Sequence, residues 1–564
     1  MRLSRHWILA SATLATAGLL VSPGCKRVMA KQPSQSQITA GRRSYGRDRS
    51  ARNQQESRIA FEDRSMEWGL PPTAYILEKQ PKNIEETFGS GCAFADINGD
   101  NFDDAIVVHH NGIRIYRNDA GKSFKDITKE WAPSLSGRLH GVAAGDVDAD
   151  GRVDLVIGGH PGLFFLHNTG RKFAASRINP MSDTTSWWTS IALTQIDRGR
   201  SLDIIAGRYV GFGPGGAQAC LVEGVPTACA SFHYSGQTAA AYTLRGRNAF
   251  LDVSNRIGLT SSASRITGVA PQDFDNDGDT DLLLLSDSDG SSLLENQGRL
   301  RFANLGAKSG IPLDATGDFQ QRYGADWADI DGDAKSDIVV ATGLDQLSSL
   351  YRNCGKGYFI DVAPMRGLSA SRRRQSAGVL FEDFDADGYM DIFSVSGHFQ
   401  SNIDLIKPGV TYRQPCLVLS GAAGGSFEDV SERVGVGVQR PLTGRGLAAS
   451  DVDHDGDIDV LVTDVEGPAR LFENVSRSAG GVASIRLKRR KGSAIGAVIM
   501  AGGMRRELQT ARGYLSASSE NIVIAFPAGK KQLSVRVAWP GGGAETYPVQ
   551  VGSSPILVEG RGTR

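Results

Sequence analysis

The chain has 564 residues, with 62 Lys and Arg against 62 Asp and Glu, 40% hydrophobic residues and 68 Gly. That excludes a peptide, a collagen and a coiled coil, and it leaves room for one large domain or several smaller ones. The null net charge hides a split: residues 1–58 carry eleven basic and two acidic side chains, so the remainder is acidic by nine charges. An acidic body repels phosphate, which argues against nucleic acid as its partner and directs attention to cations.

From the N-terminus, Arg2 and Arg5 precede an apolar run from Trp7 to Val21. The run is short for a membrane span and has the layout of a secretory signal, so export is expected, with residues 1–30 as the signal. Val28-Met29-Ala30 has the small-residue spacing of an ordinary cleavage site. A lipoprotein signal ending before Cys25 is the alternative, and a lipid on Cys25 is then the only expected contact with a membrane. Residues 31–57 are polar and basic, too poor in large apolar groups to fold, and are expected to form a disordered linker. Of the six cysteines, Cys220 and Cys229 lie nine apart around a turn and are expected to pair, as export permits. Cys92, in an apolar stretch, reads as a buried thiol, and Cys354 with Cys416 is left open.

Next comes an internal repeat of nine residues with acids or Asn at positions 1, 3, 5 and 9. Six copies are clean: Asp96 to Asp104, Asp146 to Asp154, Asp273 to Asp281, Asp329 to Asp337, Asp383 to Asp391 and Asp451 to Asp459. A seventh, Gln195 to Asp203, lacks acids at positions 1 and 5. Each copy is followed by a short apolar, largely β-branched run such as Ala105 to Val108 or Leu282 to Leu285, which reads as a buried strand. A Gly stands five residues before position 1 in six units: Gly91, Gly141, Gly268, Gly324, Gly378 and Gly446. Seven aromatic-led segments, at Phe61, Phe124, Phe173, Phe250, Phe302, Phe359 and Phe427, match the seven loops in number. Because Phe61 precedes the first loop and nothing equivalent follows the last, the N-terminal strand is expected to complete the final sheet. That arrangement closes a ring without a free edge, and a period near fifty suits four strands per unit. The reading is all-β: a seven-bladed β-propeller over residues 58–476.

Acids at alternate positions of a tight turn surround one point with hard oxygen ligands, which suits Ca2+ better than zinc or copper. The expected ligands are Asp96, Asn98, Asp100 and Asp104; Asp146, Asp148, Asp150 and Asp154; Asp273, Asp275, Asp277 and Asp281; Asp329, Asp331, Asp333 and Asp337; Asp383, Asp385, Asp387 and Asp391; and Asp451, Asp453, Asp455 and Asp459. This gives up to six ions, with none at the loop from Gln195. Asp, Asn and Gly favour turns by themselves. That explains one or two acids per turn and not three or four in six turns, which repel one another when unneutralised.

These loops, with their Gly-x-x-x-x-Asp-x-Asp-x-Asp-Gly-x-x-Asp layout, resemble the FG-GAP/VCBS repeats of integrin-α-like propellers, and the resemblance implies the same calcium ligands. Residues 480–562 resemble an ASPIC/UnbV domain through Ser493-Ala494-Ile495-Gly496-Ala497, Gly513-Tyr514-Leu515-Ser516 and Val535 to Gly541. Read without the family, this stretch alternates short β-type runs with Gly turns and is expected to form a small β-sandwich.

No metalloprotease, nucleophile-elbow or Walker motif is present, and no catalytic residue is assigned. His140, Trp188, Tyr323 and Arg445 precede the innermost strands and would ring the axis at the end opposite the acidic loops, with His109, His110, His160, Tyr209, Asp287 and His398 farther out on the same face. These residues are read as solvated loop ends or, alternatively, as a candidate binding site for a sugar or an acidic peptide. The expectation is an exported, extracellular, periplasmic or surface-anchored protein that binds calcium and acts in recognition or adhesion toward a protein or glycan. A propeller enzyme acting on polysaccharide, as lyase or hydrolase, and a structural module of a secreted assembly are the alternatives.

Overall fold

The computed structural model describes residues 57–71, 83–197, 199–212, 216–246, 249–261 and 263–563. The expected export signal, Cys25 and nearly all of the basic linker lie outside the described residues. Among the described residues no helix is long and apolar enough to cross a membrane.

Seven four-stranded antiparallel sheets carry the repeats. In sheet one the order is Cys92–Ala95, Asp104–His109, Gly112–Asn118 and Phe124–Asp126, so the acidic loop joins the first strand to the second. The first strands of neighbouring sheets pack against each other all the way round, and that of sheet seven, Gly444–Ser450, returns to Cys92–Ala95. The ring is therefore closed. Its seal is the strand Phe61–Asp63, which pairs antiparallel with Arg470–Asn474 in the register Phe61 with Asn474, as the outermost strand of sheet seven. Phe61 is buried edge-on between Phe384 and Phe393, at ring separations of 5.2 and 5.4 Å. The repeat glycines mark where the first strands crowd together. A Cβ on Gly141 would lie 1.9 Å from the Thr189 carbonyl oxygen, and one on Gly268 2.4 Å from that of Tyr323, so no other residue fits.

Residues beyond Gly481 form two packed sheets. One holds Gly481–Lys488, Ile522–Phe526 and Ile556–Val558; the other holds Val498–Ala501, Met504–Glu507, Gln532–Ala538 and Ala544–Gln550. Alternate residues such as Ile485, Ile499, Ile524, Val535 and Val537 fill the space between them.

This C-terminal domain does not stand apart from the ring. Its segment from Gln509 to Asn521 enters the ring axis from the side of the acidic loops. There it bonds the backbones of first strands that would otherwise line a channel. Gly513 N donates to Ala325 O, Val142 N to Leu515 O, and Ala517 N to Cys92 O, while Phe94 N donates to Ala517 O and Ser519 N to Ala449 O. The Ser516 hydroxyl accepts from the amides of both Cys92 and Leu447 at 3.1 Å. Gly91 and Gly324 are closed by this plug itself: a Cβ on either would fall 1.8 or 2.3 Å from a carbonyl oxygen of Leu515 or Gly513.

Buried arginines hold the plug. Arg512 donates to both carboxylate oxygens of Asp326, at 2.9 and 2.7 Å, and to Glu382 at 2.7 Å; Arg506 forks onto the same Glu382 at 2.6 Å. Burial alone would raise the Glu382 pKa, but Arg506 and Arg512 outweigh it and bring the carboxyl down to about 2. Removing one partner of such a pair strands the other charge without water. Arg512→Met is therefore expected to destabilise the fold by about 3–5 kcal/mol in chemical denaturation. Because the Glu382 pKa is depressed on folding, its contribution is full above its unfolded value near 4.3 and is lost as pH falls toward 2. Glu382→Gln should accordingly flatten the acid limb of the stability profile between those values.

Candidate metal centres on the acidic loops

All six clean loops wind the same way. Positions 4 and 6 are left-handed in each: Gly99 and Asn101, Ala149 and Gly151, Asn276 and Gly278, Gly332 and Ala334, Ala386 and Gly388, His454 and Gly456. Two left-handed residues two apart curl the backbone so that the side chains at 1, 3 and 5 turn inward. In five loops the position-1 carboxylate is fixed by amides of its own loop. Asp146 Oδ1 accepts from Asp150 N at 3.0 Å and Oδ2 from Gly151 N at 3.0 Å, and Asp96, Asp273, Asp329 and Asp383 repeat the pattern. The position-9 Asp is buried and reaches back to the amide of position 2, as Asp104 does to Ile97 N at 3.1 Å; even Asp203 of the degenerate loop does so.

Sequence reasoning missed one participant. The other oxygen of the position-9 Asp accepts from the amide of an Asn on the third strand: Asn118, Asn168, Asn296, Asn353 or Asn474. The side-chain amide of that Asn crosses to the position-2 carbonyl of the preceding loop, as from Asn168 to Ile97 O at 2.8 Å. Each such Asn thus ties its own loop to its neighbour's. The signal was present, since Tyr-Arg-Asn, Leu-His-Asn, Leu-Glu-Asn, Tyr-Arg-Asn and Phe-Glu-Asn end the third strands.

The carboxyls that converge are poorly solvated. Burial, with repulsion from neighbouring acids, pushes the pKa of Asp104, Asp154 and Asp337 up to about 8 and that of Asp281 up to about 9. Asp383 and Asp451 rise to about 7 for the same reasons. Asp331 Oδ1, Asp385 Oδ1, Asp451 Oδ2 and Asp457 Oδ1 are buried without a hydrogen-bond partner. Asp146 with Asp148 and Asp154, Asp273 with Asp275 and Asp281, Asp329 with Asp331 and Asp333, and Asp383 with Asp385 and Asp391 each bring three carboxylate oxygens within 4.8 Å of one another. A divalent cation fits such a donor set, since it neutralises the cluster and occupies the orphaned oxygens. The loop from Gln195 offers only Asp197 and Asp203.

The rim expected at the opposite end of the axis is corrected by the structure. His140, Trp188, Tyr323 and Arg445 do stand at the starts of first strands, but each is at most 3% exposed. Three elements cover this end. The helix Ile84–Phe88 drives Phe88 among Trp187, Tyr209 and Tyr514. The plug brings Tyr514 and Leu515 from below. A hairpin of Ala219–Val222 and Val225–Ala228 spans from sheet three to sheet six, where Thr227, Ala228 and Pro226 bond Gln400 and Asn402. The Cys220–Cys229 disulfide clasps this hairpin's base. Arg445 sends its guanidinium to the carbonyls of Thr87, Gly397 and His398 and lies 3.9 Å over the Phe399 ring, so it knots backbone together and is not free to hold a ligand. Tyr323 stacks on Phe399 at 4.6 Å, and Tyr209 and Asp287 are hydrogen-bonded to each other in the interior. Cys92 and Cys416 are buried free thiols, so the Cys354–Cys416 pairing left open above is not formed.

With the loops and the plug in view, the comparisons with known proteins are direct. The FG-GAP-like repeat family matches residues 96–157, 273–340 and 329–394, and the family described as ASPIC and UnbV matches residues 488–563. The chain contains FG-GAP-like repeats over those three stretches and an ASPIC/UnbV domain near its C-terminus. No curated protein sequence matches it significantly. Similar solved structures include one on recognition of non-reducing terminal N-acetylglucosamine by an Agrocybe aegerita lectin, at 17% identity over 69% of this chain and 94% of that one, TM-score 0.41. A Bacillus licheniformis rhamnogalacturonan lyase matches at 9% identity over 74% of this chain and 75% of that one, TM-score 0.37. At those scores no ligand or activity passes from them to this chain. The plug contains the Gly-Tyr-Leu-Ser piece of the ASPIC/UnbV domain, Gly513 to Ser516.

The winding itself can be tested at two neighbouring positions. Gly388 has φ 91° and nothing within 4 Å of an added Cβ, so Gly388→Ala carries only the left-handed penalty of about 1–2 kcal/mol. Ala386, at φ 53°, already bears it, and Ala386→Gly exchanges that strain for chain entropy, so the expected change is within about 0.5 kcal/mol. Denaturation midpoints in excess calcium measure both.

Proposed function

We propose that this protein is an exported, calcium-stabilised propeller that serves extracellular or cell-surface recognition, with a protein or glycan as ligand. The observation that carries the reading is the set of buried carboxylate oxygens left without partners in loops built to one plan. Calcium accounts for them better than smaller ions do, since it accepts many oxygen ligands in flexible geometry, whereas Mg2+ demands an octahedron and keeps its water. The Cys220–Cys229 disulfide favours an oxidising compartment.

Because the axis is filled from one end and covered at the other, recognition falls to the outer faces. A groove of about 440 Å³ runs between the loops of sheets one and two and the ASPIC/UnbV stretch Lys488 to Ser493, with Asp96, Asp146 and Asp150 on one wall and Arg489, Arg490 and Lys491 on the other. Ions in the two loops would leave this groove positive, a surface suited to acidic ligands.

Two measurements test the reading. The melting temperature should fall with chelator and recover with Ca2+ but not with Mg2+, because an ion that binds the folded form alone adds stability by mass action. Arrays of glycans and surface proteins, probed with and without chelator, should return binders that depend on calcium; an unchanged melting temperature together with calcium-independent binding would overturn it.

A further inference from the structure

Orphaned ring nitrogens gather around the helix Ile84–Phe88, at the covered end of the axis. His140, on the first strand of sheet two, is fully buried. Its Nδ1 lies 2.7 Å from the Gly89 carbonyl oxygen, which can only accept, so Nδ1 carries the proton and Nε2 keeps a lone pair. That Nε2 makes no hydrogen bond. His160, which ends the second strand of the same sheet, repeats the arrangement: its Nδ1 is 2.6 Å from Glu85 Oε1, and its Nε2 is buried without a partner. His110, in the turn between the second and third strands of sheet one, hydrogen-bonds the Glu86 backbone and leaves its Nδ1 buried and unpartnered. The rings of His110 and His140 are 5.7 Å apart and steeply inclined to each other, at 74°. Burial, with repulsion from His110 and His160, keeps the His140 pKa well below its ordinary value, so the ring is neutral.

We infer that His110, His140 and His160 form an imidazole site for a dication of the zinc or copper kind, at the opposite end of the ring from the acidic loops and independent of them. An ion bonded to an imidazole nitrogen at about 2.0–2.1 Å lies roughly 3.2 Å from the ring centre, so two rings that share it stand about 5–6 Å apart. His110 and His140 have that spacing. Imidazoles that hold a metal donate their second nitrogen to a carbonyl or a carboxylate, which fixes the tautomer, and His140 does so to Gly89 and His160 to Glu85. Neutral nitrogen ligands suit zinc and copper, while Ca2+ takes oxygen. Charge permits a cation here, since Glu85 and Glu86 face one guanidinium, that of Arg138, at 3.8 and 3.6 Å. A crevice of about 50 Å³ between sheets one and seven is lined by His110 and Gly89 and gives an ion a way in. The bound ion would tie sheets one and two to the helix that covers the axis. The competing arrangement is buried water bridging the same nitrogens, with the unpartnered Trp187 Nε1, on a ring 5.1 Å from His140, as a further contact.

The untagged full chain, stripped with chelator, returned to excess Ca2+ and then given Zn2+ or Cu2+, decides between them. One equivalent of zinc per chain should survive dialysis and raise the melting temperature, and pulsed EPR of the Cu2+ form should show coupling to more than one imidazole. His140→Gln should weaken the zinc equivalent at least tenfold and remove one imidazole from the copper spectrum. Should that buried change prevent folding, His110→Gln, beside the crevice, should give the same two losses. Glu85→Gln, which leaves all three imidazoles in place, should weaken zinc by roughly tenfold and keep the count of coupled imidazoles. Wild type that retains no zinc, zinc held equally by the histidine variants, or copper without imidazole coupling would overturn the inference in favour of water. Because Ca2+ is present throughout, a failure here leaves the calcium reading of the acidic loops untouched.

Discussion

Like charges gathered at one end of every sheet are the constraint around which this molecule is arranged. A ring of first strands brings the acidic turns to a common face, and each turn presses carboxylates together where water is scarce. Burial above all, with repulsion from the neighbouring acids added to it, raises the position-9 carboxyls far above the ordinary carboxylate range. The winding at positions 4 and 6 does not relieve this; it spends left-handed backbone to bring the acids closer. A fold that pays strain to concentrate negative charge is a fold built to meet positive charge.

Some of that positive charge is in the chain. The ASPIC/UnbV domain docks on the acidic face with arginines: Arg486 on Asp96 and Asp103, and Arg506 and Arg512 on Glu382 and Asp326. Asp103 also accepts from Ser450, Ser519 and Asn521, so one carboxylate ties sheets one and seven to the C-terminal domain. The plug then bonds first strands of several sheets at once, including those of sheets one, two, five and seven. The second domain keeps a core of its own and also sends Ile495, Ala511, Tyr514, Leu515 and Ala517 into the ring's clusters, so that among the described residues the axis is filled.

Much of this was legible in the sequence and some was not. The loops, the strands around them, the closing role of Phe61 and the glycine five residues before each loop all follow from local patterns, because a strand's alternation and a turn's chemistry are written in adjacent residues. The sandwich was legible for the same reason. The fate of the axis was not. Tyr514 reads as an ordinary turn residue until Phe88, Tyr323 and Phe399 are placed around it, and those come from segments far from it in sequence. The rim residues were misread in exposure, since the hairpin comes from the long insertion between the loops at Gln195 and Asp273 and the helix Ile84–Phe88 precedes the first loop, so neither is part of the repeat.

The central claim concerns ions in the loops, and anomalous diffraction from crystals grown with calcium tests it most directly. The account predicts peaks within the loops that begin at Asp273, Asp383 and Asp451, each surrounded by the position 1, 3, 5 and 9 carboxylates, and no peak in the loop from Gln195. Loops of the same conformation with no anomalous density at any of those three positions would contradict it.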